Sequence, residues 1–286
     1  MTIKRLGRGV AIVGAGMSKF GVFAEKATRD LFVEAFGEMR VSVDKGLDPK
    51  DIEALYVGNC SSDLFEGQGH TAPLMADWAG LAPRPATRVE DACASSGVAL
   101  REGIIAIASG LYDVVLAGGI EKMTNLPTEQ VTDTLAIAGD VLYEIPAGFT
   151  FPGFYAAMAT VYMARYGATP ETFMQVGLKN HENGALNDKA QFGATIRQVM
   201  EKKVARAKAK GRPIPTWADE MDFLTTTVPT LWSPGRCVSL TARPSLMAPR
   251  LCCWRARRWP GLLPMIRSMS SAPAKPAMSR CTIGRT

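Results

Sequence analysis

Residues 89–100 read VEDACASSGVAL, with one cysteine, Cys93, after an acidic pair and before a run of very small residues. Two readings of Cys93 compete. Cysteine is often a small buried hydrophobe. It is also a nucleophile when it stands at the start of a helix, where unpaired backbone N–H groups and the helix dipole favour negative charge on the sulfur. Ala94, Ser95, Ser96 and Gly97 keep bulk away, so an acyl group could approach. The backbone N–H of Cys93 could itself receive an oxyanion. The chemistry would be acyl transfer through a covalent thioester.

The elements needed to hold such a thiol are readable around it. GVAIVGAGMSKFG (9–21) predicts a strand running into a glycine turn. Its Gly14 and Gly16 suggest a dinucleotide fingerprint, but the third glycine would fall at Lys19, which argues against that site. TRDLFVEAFGEMRVSVDKGL (28–47) predicts an amphipathic helix capped by Thr28, with Leu31, Phe32, Ala35, Phe36 and Met39 inward. DIEALYVGNC (51–60) predicts a strand ending at a buried, inert Cys60, and GHTAPLMADWAGL a further helix. From Ser95 to about Ser109 the apolar residues Val98, Ala99, Leu100, Ile104, Ile105, Ile107 and Ala108 cover most of the circumference, which predicts a helix buried on nearly all sides. YDVVLAGGIE is a continuous apolar strand, as in a sheet covered on both faces. Strands and helices alternating to about residue 124 imply a mostly parallel α/β sheet.

The pattern changes between 125 and 222 to helices and loops rich in Met and aromatics, read as an inserted cap. Met158, Met163 and Met174 are expected in its core. ATIRQVMEKKVARAKAKG is a basic helix whose Lys202–Lys210 face is expected to be solvated. His70 is expected to be structural or near a subunit contact, and His181 to anchor its loop; neither is assigned a catalytic role.

The chain has 286 residues, 47% of them hydrophobic, with a mean hydropathy near zero, as in a soluble globular protein. No apolar run approaches the ~20 residues of a membrane span. The start reads as a strand rather than a signal peptide. Six cysteines lack metal-ligand spacing, which points to a reducing, cytoplasmic setting. The net charge of +6 is misleading, because residues 223–286 hold ten Lys+Arg and no acid, and the rest of the chain is net acidic. That tail also holds three of the five Trp and four of the six Cys. Its composition fits neither a solvated nucleic-acid-binding arm nor a folded core.

The segment VEDACASSGVALREGIIAIASGLYDVVLAGGIEKMT resembles the nucleophile segment of thiolases, as do VAIVGAGMSKFG near the start and KNHENGALNDKAQF in the middle. The likeness is to the archaeal and sterol-carrier branch of acetyl-CoA acyltransferases, over roughly residues 8–222. It implies a thiolase-like α/β fold of two similar halves in five layers (αβαβα), with a cap after the first half. Here 1–124 would be the first half, 125–222 the cap, and 223–286 an aberrant basic tail without a native fold. The resemblance makes Cys93 the nucleophile of an acyl-CoA C-acyltransferase, performing Claisen condensation or thiolysis with acyl-CoA as substrate and no cofactor or metal. It places the activating His and a second acid/base in the second half, where this chain offers none. The basic helix would then meet the phosphates of CoA. Implied partners are a second copy of the chain and, as in archaeal relatives, HMG-CoA synthase and a small OB-fold protein; nucleic acid and membrane are not implied. Other classes stay open at this point: a ketosynthase or HMG-CoA-synthase-like acyltransferase, or a non-catalytic fragment.

The tail carries its own signal. Taking the last base of each codon with the first two of the next, GRCVSLTARPSLMAP (235–249) can be read as PLRLFDCSPISDGA, where the Gly from Met247–Ala248 is forced. PMIRSMSSAPAKPAM (264–278) can be read in the same frame as DDPLDVVGTGQASD, with a forced Asp from Met265–Ile266. Both strings resemble second-half thiolase segments in the right order, so residues from about 225 are expected to be frame-shifted.

Overall fold

The computed structural model describes residues 7–227 and the strand 250–257. The chain begins with β1 (Gly9–Met17) and α1 (Thr28–Val41), where the side chains expected to face inward, Leu31, Phe32, Ala35, Phe36 and Met39, are all buried. The N-cap is Ala27 rather than Thr28, and the Asp30 carboxylate accepts from the Ala27 N–H at 2.7 Å. β2 (Ala54–Gly58), the single turn α2 (Ser62–Phe65) and α3 (Thr71–Trp78) follow. Then come β3 (Ala86–Val89), α4 (Ser95–Ser109) and β4 (Val114–Gly119), which is buried throughout. Five further helices follow, in the region expected to be the cap: α5 (Thr128–Ala136), α6 (Phe151–Tyr166), α7 (Pro170–Ala185), α8 (Ile196–Ala209) and α9 (Glu220–Thr227). β5 (Arg250–Arg257) returns to the sheet.

The sheet order is β1-β5-β4-β2-β3. β2 pairs in parallel with β3 and β4, while β5 runs antiparallel between β4 and β1. The sheet is therefore mixed, with a parallel half that carries the loops discussed below. Alternation along β2 and β4 sends Leu55, Val57 and Leu116 to one face, against α1 and α3, and Ala54, Tyr56 and Val115 to the other, against α4. Phe32, Met39, Ile52, Leu55 and Ile107 are fully buried, each worth ~1.5–3 kcal/mol of burial. The fold class is α/β, as expected.

The glycines of β1 pack strand on helix. A Cβ at Gly16 would stand 2.2 Å from the Ala35 carbonyl oxygen and 2.3 Å from the Met39 nitrogen. Close approach of α1 explains the G-x-G pair without a phosphate.

α4 departs from the expectation of burial on nearly all sides. Ala99, Gly103, Ala106 and Ile107 are buried against the sheet, but Gly97, Arg101 and Ile105 form an exposed strip. Its apolar circumference reflects two faces of which the described residues cover one. Ala92–Ser109 is by length and composition apolar enough to cross a membrane. The side chains it places in the core account for that composition.

The cap has its own small core, in which Met174, Ile196, Phe223 and Leu224 pack with Leu178, Met200 and Trp217. Met158 is the exception among the expected core methionines, 60% exposed on α6, while Met163 is half-buried. Lys189 docks the cap on the first half. Its ammonium pairs with Glu38 and the Met17 carbonyl, and its own carbonyl accepts from the Phe20 N–H at 2.9 Å. The Lys189 bond is the main reason the Glu38 carboxyl sits below its ordinary range.

Two elements lie at and beyond position 222. α9 runs on to Thr227 because Phe223 and Leu224 fill the cap core. Residues 250–257 form a strand. Residues 228–249 and 258–286, with Cys237, Cys281 and both segments read above in the shifted frame, lie outside the described residues.

Candidate active site

Cys93 is exposed, in the middle of a 3-10 turn (Ala92–Ala94) that runs straight into α4. The turn is tight enough to force Ala92 to φ +45°, the left-handed region that costs a non-glycine residue roughly 1–2 kcal/mol. Local hydrogen bonds hold it there. The Ala92 N–H donates to Glu90 Oε1 at 2.6 Å, and the Ala94 N–H to the Asp91 carbonyl at 2.8 Å. Buried Ser95 braces both limbs, since its Oγ accepts from the Asp91 N–H at 2.9 Å and donates to the Ala92 carbonyl at 2.7 Å.

Two glycines form the shelf beneath this turn. A Cβ on Gly58, the last residue of β2, would stand 2.4 Å from the carbonyl carbon of Ser95 and the nitrogen of Ser96. A Cβ on Gly119, the last residue of β4, would stand 1.9 Å from Ser96 Oγ. The first turn of α4 therefore rests on bare backbone at the carboxyl ends of two parallel strands. Such strand ends are the usual place for sites in open α/β sheets.

Beside the turn lies the chain that leaves β2. Asn59 N–H donates to the Val89 carbonyl at 3.1 Å, so the loops after β2 and β3 emerge together. Cys60 sits two residues past the strand, half-buried rather than fully buried. Burial pushes its thiol up to about 11, with Glu121, Glu90 and Cys93 adding to the rise. A thiol held there is protonated at neutral pH, in keeping with the inert role expected of it. Gly58, two residues before Cys60, lies against the backbone of Ser95, two residues after Cys93.

One residue of this neighbourhood escaped the sequence reading. Glu121, 5% exposed just beyond β4, accepts from the Cys60 N–H at 2.6 Å and from the Ser61 N–H and Asn59 Nδ2 at 3.3 Å. Burial, the largest cause, raises its carboxyl to about 7 against the lowering from these bonds and Arg88. The available signal was a glutamate directly after the continuous apolar run VVLAGGI, where an acid is costly unless it is fully bonded.

The remaining candidates sit elsewhere. His70 is exposed at φ +55°, in the turn that opens α3. His181 Nδ1 lies 2.9 Å from the Ala194 carbonyl, and its ring packs near Phe192, so it ties α7 to the following loop as expected. On α8, Lys203 lies over the Phe223 ring, and Lys202, Lys208 and Lys210 are exposed.

An exposed thiol on a turn between a glycine shelf and a buried carboxylate network can accept an acyl group with little in its way. Residues 10–227 match the family model described as the thiolase N-terminal domain. The chain belongs to the thiolase family. Over 195 residues it is 46% identical to an acetyl-CoA acetyltransferase of Methanothermobacter thermautotrophicus, covering 68% of this chain and 50% of that protein. An acetyl-CoA acetyltransferase of Methanocaldococcus jannaschii is 47% identical over 195 residues, 68% of this chain and 49% of that protein. Sterol carrier protein 2 of Gallus gallus is 28% identical over 208 residues, 68% of this chain and 37% of that protein. This thiolase chain thus spans about half the length of the curated relatives it matches. The fold likeness extends to a solved structure titled Ltp2-ChsH2(DUF35) aldolase, at TM-score 0.55 and 19% identity, over 88% of this chain and 56% of that one.

Proposed function

We propose that this thiolase chain carries the nucleophile of an acetyl-CoA acetyltransferase, with Cys93 as the acylated residue. The Cys93 sulfur attacks the thioester carbonyl of acyl-CoA; the bond from that carbon to the CoA sulfur breaks, and CoA leaves as its thiol after taking the proton given up by Cys93. A second acyl-CoA, having given up an α-proton, then attacks the enzyme thioester and forms a carbon–carbon bond; the bond from the acyl carbon to the Cys93 sulfur breaks, and that proton returns to the Cys93 thiolate; thiolysis is the reverse. The supporting observation is the exposed Cys93 turn on the Gly58 and Gly119 shelf, in a chain of this family.

The reading includes no metal and no nicotinamide, acyl-CoA as substrate, a cytoplasmic setting and a role in acyl-CoA and lipid metabolism. It also includes a homodimer or larger assembly, with HMG-CoA synthase and a small OB-fold protein as further partners. The exposed lysines of α8 suit the phosphates of CoA. His181 is bonded to the Ala194 carbonyl and His70 stands exposed in the turn before α3, and neither is assigned a catalytic role, so this chain is proposed to form the acyl-enzyme without completing the cycle.

Incubation with radiolabelled acetyl-CoA tests this. The purified chain should take up a hydroxylamine-labile acetyl group on the Cys93 peptide, and Cys93→Ala should take up none. Labelling of a different residue, or none on a folded chain, would refute the assignment.

A further inference from the structure

We propose that Glu121 is a positioning residue for Cys93: its buried carboxylate fixes the Asn59–Ser62 loop, which leaves β2 directly after Gly58, the residue on which the backbone of Ser95 and Ser96 rests beside the Cys93 turn. The proposal rests on the reading of Cys93 as nucleophile. The loop is gripped from two sides by opposite charges. Its N–H groups at Cys60 and Ser61 point to the Glu121 carboxylate, at 2.6 and 3.3 Å. Its carbonyls at Asn59 and Cys60 accept from the Arg88 guanidinium, at 3.3 and 2.7 Å. Donors meet the anion and acceptors meet the cation, so the loop is fixed in rotation as well as in place.

The grip continues below the loop. Asn59 Nδ2 bonds both Glu121 and the Ile120 carbonyl, and its Oδ1 accepts from Ser62 Oγ at 2.7 Å. Ser62 Oγ in turn lies 2.7 Å from Thr71 Oγ1 and 2.8 Å from the Gln68 carbonyl. A chain of buried bonds thus runs from Glu121 to the start of α3. At its head is Cys60, two residues after Gly58, which lies against the backbone of Ser95 and Ser96.

The protonation state of Glu121 decides whether the grip holds. As a carboxylate it accepts from three donors. Once protonated, one oxygen becomes a donor facing backbone N–H groups, and the loop loses part of its anchor. The charged groups around it are Arg88 on β3, which favours the anion, and Glu66 after α2, which opposes it. Lys122, the next residue, is engaged with Asn125. Cys60 faces it from the loop and Cys93 lies beyond. Its balance point near neutrality makes the anchoring of the loop sensitive to pH there.

The test is the rate of Cys93 alkylation by iodoacetamide in the full chain, followed by peptide mass spectrometry from pH 5.5 to 9. The native chain should show an inflection near neutrality that is separate from the ionisation of the alkylated thiol itself. Glu121→Gln keeps the size but places an NH₂ against the loop N–H groups. It should slow Cys93 by roughly fivefold at pH 8 and remove the inflection, with Glu121→Asp intermediate, as for lost charge-assisted bonds. A folded Glu121→Gln chain with the native pH profile would overturn the proposal. So would a native profile that fits one ionisation, a measurement that needs no variant. Alkylation requires no acyl transfer, so an absent acetyl label beside an intact inflection would count against the nucleophile reading alone.

Discussion

Gly58 lies against the backbone of Ser95, so close that a Cβ on it would stand 2.4 Å from the Ser95 carbonyl carbon. Gly119 meets the side chain of Ser96 instead. The two contacts predict different responses to the same substitution. Gly58→Ala should cost at least ~1–3 kcal/mol and displace the Cys93 turn, with no side-chain change able to relieve it. Gly119→Ala should cost a similar amount but recover in part when Ser96→Gly is added. Thermal unfolding of the two single variants and the double variant checks this; equal rescue of both glycine positions by Ser96→Gly would contradict the shelf.

The two described thiols should differ in reactivity. Cys60, half-buried and held near 11, is on the order of one-thousandth ionised at pH 8, whereas Cys93 is exposed. Limiting iodoacetamide should therefore label Cys93 at least ~10 times faster than Cys60. Equal labelling by peptide mapping would show that burial of Cys60 does not protect it.

Glu121 also makes a stability prediction. A carboxyl whose folded value, about 7, lies above its unfolded value of 4.5 binds its proton more tightly in the fold. The fold gains from this group below pH 4.5, and the gain disappears as the pH rises to 7. The native chain should therefore lose on the order of 2–3 kcal/mol relative to Glu121→Gln over that interval. Denaturant titrations at pH 4.5 and 7.5 measure it, and a difference that stays constant or changes in the opposite sense would refute it.

The sequence disclosed the scaffold better than the neighbours of the thiol. Ser95–Ser109 was legible because a helical apolar period follows a small-residue start, and Leu31 to Met39 because their spacing matches one helix face. β3 passed unnoticed: Ala-Thr-Arg-Val has no apolar run, and it is a strand because β2 pairs with it. The exposed Ile105 strip was read as buried because a helix meant for two layers looks the same whether or not the second is present. Glu121 was hidden by the strand it follows. Its importance comes from a loop about sixty positions earlier in the chain, which no local pattern reveals.

The frame of the last sixty or so residues can be tested against the sheet. β5 lies between β1 and β4, with α1 on one side and α4 on the other. A strand covered on both faces is ordinarily a continuous apolar run. The written sequence there is RLCCWRAR, with three arginines. In the shifted frame the same codons can be read Ala-Val-Leu-Leu-Ala, and the two leucines, from Cys252–Cys253 and Cys253–Trp254, are forced by the genetic code. Resequencing the gene should show one lost or added base near codons 223–231. A correct read whose alternative frame carries stop codons would end the idea. Restoring the frame should raise the unfolding temperature and yield of the chain.

β1 owes its place to that same strand. Its sheet pairing among the described residues is with β5 alone, from Gly9 against Arg257 to Met17 against Arg250. β1 must therefore wait for a strand far later in the chain before it can be stitched into the sheet. Until then β1 and α1 form a flap joined to β2 by a short linker, and closing it means bringing together positions near opposite ends of the chain. Such closure is slow and entropically costly. Any defect in residues 250–257 would thus be felt first at the amino terminus, where proteolysis or hydrogen exchange would find the flap open while the Cys93 turn on β2 and β4 was still in place.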